Sequence, residues 1–306
     1  MISTWSRRAT LALACAGAVG LLSACGSGSV VSDFNPQRFL TVGDGFMDVG
    51  QSGYRFTVND GSNNWVQALA AHYNVTLTAA SAGGWGYAQG HARVTAEDTS
   101  SGTSAPSVSA QIDTLLARTS FQTNTDLTLV NGGIADIVAA VQATGISEAT
   151  TTAVREAGTA LGQQVRRLVN AGANHVVVTG VYNLGHTPWA RGLGQENAVD
   201  DLAEAFNTAL LLEIENMRDN KVQYFDAAQF FNLVHNNPSS FPVDNVSDPA
   251  CTTPDATTCT ASTVQAGADY NRYLWADSLY IAPAAQRLFV NEDYTANAYS
   301  VLRQRW

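Results

Sequence analysis

Charge is scarce in this chain: 14% of its 306 residues are Asp, Glu, Lys or Arg, and acids outnumber bases by 26 to 16. Beside 45% hydrophobic residues, so few charges exclude a disordered polyelectrolyte and imply a sizeable core. The acidic balance repels phosphate backbones, which argues against nucleic acid as a partner. Histidine is sparse too, limited to His72, His91, His175, His186 and His235. The chain contains no Gly-x-Ser-x-Gly elbow, no His-Glu-x-x-His zinc pattern and no Walker-type glycine loop. Internal repeats are missing, as is any composition shift that would mark a second domain. Neither a cofactor nor a metal is implied.

One targeting segment is present. Arg7 and Arg8 precede an apolar run from Ala9 to Leu22, too short to be a convincing membrane span, which ends in Leu22-Ser23-Ala24-Cys25. Those four residues resemble the bacterial lipobox, which implies removal of residues 1–24 and diacylation of Cys25. Gly26 follows the cysteine where aspartate would favour the inner membrane, so an outer-membrane lipoprotein is expected, facing the periplasm or the exterior. Residues 25–37 then form a lipidated cysteine and tether, and 38–306 the folded domain. Loss of the leader leaves 14 bases against 26 acids. Of four cysteines, Cys15 departs and Cys25 carries lipid, which leaves Cys251 and Cys259 to close a small disulfide loop in an oxidising compartment.

Five β-rich apolar segments recur, at Arg38–Val42, Val75–Ala79, Asp126–Asn131, Asn174–Gly180 and Val222–Asp226. Between and after them, helical patterns occupy Asn63–Tyr73, Ser107–Arg118, Glu148–Ala171, Val199–Arg218, Pro283–Val290 and Tyr294–Gln304. This alternation predicts an α/β fold with a parallel sheet covered on both faces. The turn Gly43-Asp44-Gly45 then falls at the C-terminal end of the first strand, where ligands and catalytic groups collect in such sheets.

Phe39-Leu-Thr-Val-Gly-Asp-Gly-Phe-Met-Asp-Val-Gly50 resembles the first block of the SGNH/GDSL esterase–lipase family. Gly86-Tyr-Ala-Gln-Gly-His-Ala-Arg-Val94 is similar to the second block and Leu129-Val-Asn-Gly-Gly-Ile-Ala-Asp-Ile137 to the third. Tyr273-Leu-Trp-Ala-Asp-Ser-Leu-Tyr280 resembles the last block, which normally carries Asp-x-x-His-Pro. The landmarks occur in order from about residue 38 to the C-terminus. The resemblance implies a three-layer α/β/α sandwich with a five-stranded parallel sheet, flavodoxin-like, and acyl-transfer chemistry at carboxylic esters. In that chemistry a serine attacks, a histidine takes its proton, an aspartate orients the histidine, and an oxyanion hole stabilises the intermediate.

Position by position, the implied machinery is missing. Gly45 stands at the serine, His91 at the second-block oxyanion glycine, Ala135 at the oxyanion asparagine and Tyr280 at the histidine; Asp277 alone is retained. Losing a triad serine or histidine costs roughly 10⁶-fold in turnover. The asparagine donor alone is worth on the order of 10²–10³-fold. The expectation is an exported, lipid-anchored pseudoenzyme that binds an acyl-ester, lipid or glycan ligand, or a partner, in the former cleft. Asp44, Gly45, Gly90, His91, Gly133, Asp277 and Tyr280 are the candidate contacts. Trp85, Tyr87, Trp275 and Tyr280 would suit a sugar ring or acyl chain at its mouth. The alternative is an active ester hydrolase with a non-standard nucleophile, for which Ser81 with His91 is the pair to examine. Asp44, Asp136 and Asp277 would serve either as acid–base groups or as acceptors that hold loops.

Overall fold

The computed structural model describes residues 32–306 apart from 99, 100, 102, 219, 220, 295, 296, 304 and 305. The leader, Cys25 and most of the tether lie outside the described residues. Four strands, β1 (Arg38–Val42), β2 (Asp126–Val130), β3 (Val176–Thr179) and β4 (Val222–Phe225), form one parallel sheet in the order β1-β2-β3-β4. The register aligns Val42 with Val130, Val130 with Val178, and Val178 with Tyr224. Every residue of β2 and β3 is buried, the pattern of strands covered on both faces.

The expected fifth strand, Val75–Ala79, does not form. Beside β1 the chain places Trp85–Tyr87 instead: Thr41 N–H donates to Trp85 O at 3.1 Å, and Tyr87 N–H donates to Thr41 O at 2.8 Å. Residues 78–80 bond to that segment only at Gly86, whose N–H donates to Thr78 O and whose O accepts from Ala80 N–H. A 3₁₀ turn at Ala80–Ala82 and Gly83 at φ 87° join the two pieces, which meet in an isolated parallel bridge between Ala79 and Gly86 and not in a ladder. A second small sheet, absent from the sequence expectation, pairs β5 (Asn245–Pro249) with β6 (Tyr273–Trp275).

The helices are α1 (Trp65–His72), α2 (Val108–Arg118), α3 (Ile134–Thr144), α4 (Glu148–Asn170), α5 (Pro188–Leu193), α6 (Glu196–Ile214), α7 (Ala227–Asn236), α8 (Pro283–Leu288) and α9 (Ala298–Arg303). Asn64 caps α1 in a capping box with Gln67, and Ser107 caps α2. α3, α5 and α7 were not expected. The longest pair, α4 and α6, packs closely because Gly158 and Gly162 carry no side chain. A Cβ on Gly158 would lie 2.3 Å from Phe206 O, and one on Gly162 2.5 Å from Glu213. On the opposite side of the sheet, Phe289 meets Phe46, Trp65, Phe225, Phe230 and Phe231 ring to ring. That aromatic cluster anchors Phe46, the residue immediately after Gly45. The site turn is therefore tied to the core.

Candidate functional site

The turn leaving β1 is held from three directions. Gln111 of α2, buried, accepts from Gly43 N–H at 2.8 Å and donates to Gly43 O at 2.9 Å. Asn131, just beyond β2, accepts from Asp44 N–H at 3.1 Å and donates to Asp44 Oδ1 at 2.6 Å. The Asp44 carboxylate also accepts from the N–H groups of Phe46 and Ile134. Asp48 accepts from Gly50, Gln51 and Gly90 N–H, and so joins the first block to the loop carrying His91. Gln111, Asn131 and Asp48 were not singled out in the sequence, although Asp48 and Asn131 lie within the quoted blocks.

The two other aspartates also hold backbone. Asp136 accepts from Val94 N–H at 3.0 Å and pairs with Arg93. Asp277 accepts three backbone N–H groups, from Ala256, Leu279 and Tyr280, at 2.8, 2.8 and 2.6 Å. Each carboxylate is thus engaged in shaping a loop.

At Gly45 there is no room for a side chain. A Cβ on Gly45 would lie 2.8 Å from Phe56 Cγ and 2.8 Å from both Cε1 and Cζ of Tyr280. Phe56 in turn lies on Gly90, where a Cβ would fall 1.7 Å from two of its ring carbons. The Phe56 and Tyr280 rings pack together at 4.8 Å and are 3% and 4% exposed. Of the seven candidate contacts, Asp44, Gly45, Gly90, Gly133, Asp277 and Tyr280 are buried; His91 alone reaches the surface in part. Gly133 sits at φ 117° against the Phe206 ring, so a side chain there would be strained and crowded.

His91 adopts φ 64°, a left-handed backbone that glycine takes without penalty and histidine takes at a cost. Its ring stands edge-on to Phe56 at 5.2 Å, and Nε2 lies 3.7 Å from Asp255 Oδ2. Asp255 belongs to the loop closed by the Cys251–Cys259 disulfide. The same loop supplies Ala256 N–H to Asp277, and Asn59 fastens it through Ala256 O and Cys259 O. The loop therefore covers the site from outside, while Phe56 and Tyr280 fill it from within. His91 holds Asp255 below the usual carboxylate range.

Ser81 and His91 do not form a catalytic pair. The Ser81 hydroxyl donates to Gln51 O at 2.8 Å, whereas His91 faces Asp255 and Phe56. The expected aromatic mouth is not assembled either. Trp85 lies under the guanidinium groups of Arg38 and Arg118. Tyr87 accepts a hydrogen bond from Arg118. Trp275 is 1% exposed, with Nε1 donating to Val246 O. A cleft of about 440 Å³ opens beside Gln111, between Gln51, Tyr87, Pro106 and Arg118. Among the described residues, no three of His, Cys, Asp and Glu are grouped to hold a metal ion.

Burial pushes Asp44 and Asp277 each up to about 6, against hydrogen bonds that pull the other way. A carboxyl raised in the folded state keeps a proton that the unfolded chain has released between about pH 4 and 6. Its contribution to stability is present below pH 4 and lost as pH rises through 6. Asp44→Asn keeps the shape and removes the titration. We expect its stability relative to the parent protein to improve from pH 4 to 6.5, by up to about 3 kcal/mol for a shift of about two units. Urea unfolding of both proteins across that range tests this, and a constant difference would contradict it.

Similarity to known proteins agrees with the sequence landmarks. The family model described as GDSL-like Lipase/Acylhydrolase matches residues 39–269, most of the chain. A search of curated proteins gives no match. Among solved structures, a phospholipase A1 from Streptomyces albidoflavus is similar at 16% identity and TM-score 0.43, over 82% of this chain and 94% of that one. A carbohydrate acetylesterase from Sinorhizobium meliloti is similar at 15% identity and TM-score 0.40, over 63% of this chain and 85% of that one. An aryl esterase from M. smegmatis stands at 16% identity and TM-score 0.42, with the same coverage of 63% and 85%. At that distance these structures say nothing about what this chain does. The match over residues 39–269 does decide the family: this chain belongs to the GDSL-like lipase/acylhydrolases.

Proposed function

We propose that this protein is a catalytically retired member of its family, exported and anchored to the outer membrane through lipid on Cys25, which acts by binding rather than by hydrolysis. The observation that carries the retirement is the state of position 45. Glycine occupies it, and two packed aromatic rings close over it. The absence of asparagine at 135 and histidine at 280 points the same way. Asp277 is engaged by three backbone N–H groups, with a tyrosine where the histidine it would orient belongs.

The ligand class this reading favours is an acyl ester, lipid or glycan, or a protein partner. Such a molecule meets the surface at His91 and the disulfide loop, and reaches Gly45 only if Phe56 and Tyr280 swing aside. Purified residues 26–306 are expected to hydrolyse short-chain nitrophenyl esters no faster than a buffer blank. Turnover at rates ordinary for an esterase would end the retirement. Growth with labelled palmitate tests the anchor: label is expected on the parent protein and lost in Cys25→Ser. Equal labelling of both would remove Cys25 from the account.

A further inference from the structure

The parallel sheet gives this domain two unlike ends. At the C-terminal ends of the strands lie Gly45, Asn131, His91 and the disulfide loop. At the N-terminal ends lie Arg38 as the first residue of β1, His175 before β3 and Lys221 before β4. The first described residues are fastened to this second end. Ser32 N–H donates to Arg303 O at 2.8 Å, and Phe34 N–H donates to Trp306 O at 3.3 Å. The Phe34 ring stacks on His175 at 3.7 Å and meets Trp306 edge-on. Val176 N–H donates to Lys221 O, so Lys221 is one ladder position from the residue on which Phe34 stacks.

We infer that the N-terminal edge of the sheet lies against the lipid headgroups, and that the Gly45–His91 end points away from the membrane. This rests on the lipid anchor at Cys25 proposed above. Seven residue steps separate Cys25 from Ser32, and a fully extended chain spans about 25 Å over that length. A domain of this size is about 45–50 Å across. The tether leaves from the edge marked by Phe34, His175 and Trp306, so it is too short to carry the lipid around to the far end. Whatever the retired site binds therefore approaches from the aqueous side, not from within the anchoring bilayer.

Lys221 offers the test, because it is the only lysine in the chain and is exposed. The mature lipidated protein is placed in phosphatidylethanolamine–phosphatidylglycerol vesicles that carry headgroup-bound acceptor dye. A donor dye is attached to Lys221, or, in Ala261→Lys combined with Lys221→Arg, to a lysine at exposed position 261, two residues beyond Cys259 of the disulfide loop. Lys221→Arg alone supplies the background from the α-amino group. Energy transfer from Lys221 is expected to be several-fold higher than from position 261. Equal or reversed transfer on protein that floats with the vesicles overturns the orientation while leaving the anchor intact. Flotation of Cys25→Ser to the same extent as the parent, or failure of the parent to float, removes the anchor and the orientation with it.

Discussion

Placing the family's serine, asparagine and histidine at the positions the block resemblance assigns them, as Gly45→Ser, Ala135→Asn and Tyr280→His, is expected to leave ester hydrolysis at the buffer blank. The obstacle is steric. Phe56 Cγ lies 2.8 Å from where the serine Cβ must sit, and replacing Tyr280 removes only one of the two crowding rings. Phe56 cannot retreat inward, because its edge already lies on Gly90 where not even a Cβ fits. The serine would enter off its position, and misplacement by about 1 Å can cost 10²-fold. Adding Phe56→Ala to the triple replacement clears the space. The quadruple variant is expected to hydrolyse nitrophenyl acetate on the order of 10²–10³-fold above blank, short of the roughly 10⁶-fold that a fitted triad is worth. Activity in the triple variant would show that Phe56 is not the obstacle. A folded but inert quadruple variant would show that positions 45, 135 and 280 are not the catalytic register.

Phe56→Ala by itself is expected to destabilise the protein by about 3–5 kcal/mol, the usual cost of removing a buried phenyl ring. The ring is 3% exposed and meets Tyr54, Tyr280 and His91, so its loss leaves a space bounded by Gly45, Gly90 and Tyr280. An apolar cavity of that kind stays dry and takes up small aromatic molecules. Benzene should therefore raise the urea midpoint of Phe56→Ala and leave that of the parent unchanged. A loss below about 1 kcal/mol would mean that the neighbouring side chains close the gap by themselves. In that case the filling of the site would owe little to Phe56.

On the retired reading proposed above, the lack of a serine hydroxyl removes the reaction, and an aromatic ring packed over Gly45 leaves apolar core in place of a polar cleft, which burial of apolar area keeps closed. His91 fits that reading: it takes a left-handed backbone and fastens Asp255 across the opening.

Much of this was readable from the chain alone. Strand β1 was expected at the limits it has, and α2 and α4 to within a residue at each end, because their apolar periodicity and capping residues are local signals. The block resemblance put Gly45, Ala135 and Tyr280 where the family carries serine, asparagine and histidine, since the side chain at a position is a property of sequence. The structure was needed to show what fills their place. Phe56 lies between blocks, in a stretch with no periodic signal, and reaches Gly45 and Gly90 only through tertiary packing. Val75–Ala79 has the residues of a strand, yet Trp85–Tyr87 takes the position beside β1, because strand pairing is a competition between distant segments. Asp277 resembles the aspartate of the family's last block, but its carboxylate is occupied by backbone N–H groups, one of them from the disulfide loop some twenty residues upstream. The sequence by itself determined the family, the alternating α/β order and the glycine at position 45, all of which depend on residue identity and short-range pattern. Only the tertiary structure decided that the site is closed and what closes it, because contacts between distant residues depend on how the whole chain packs.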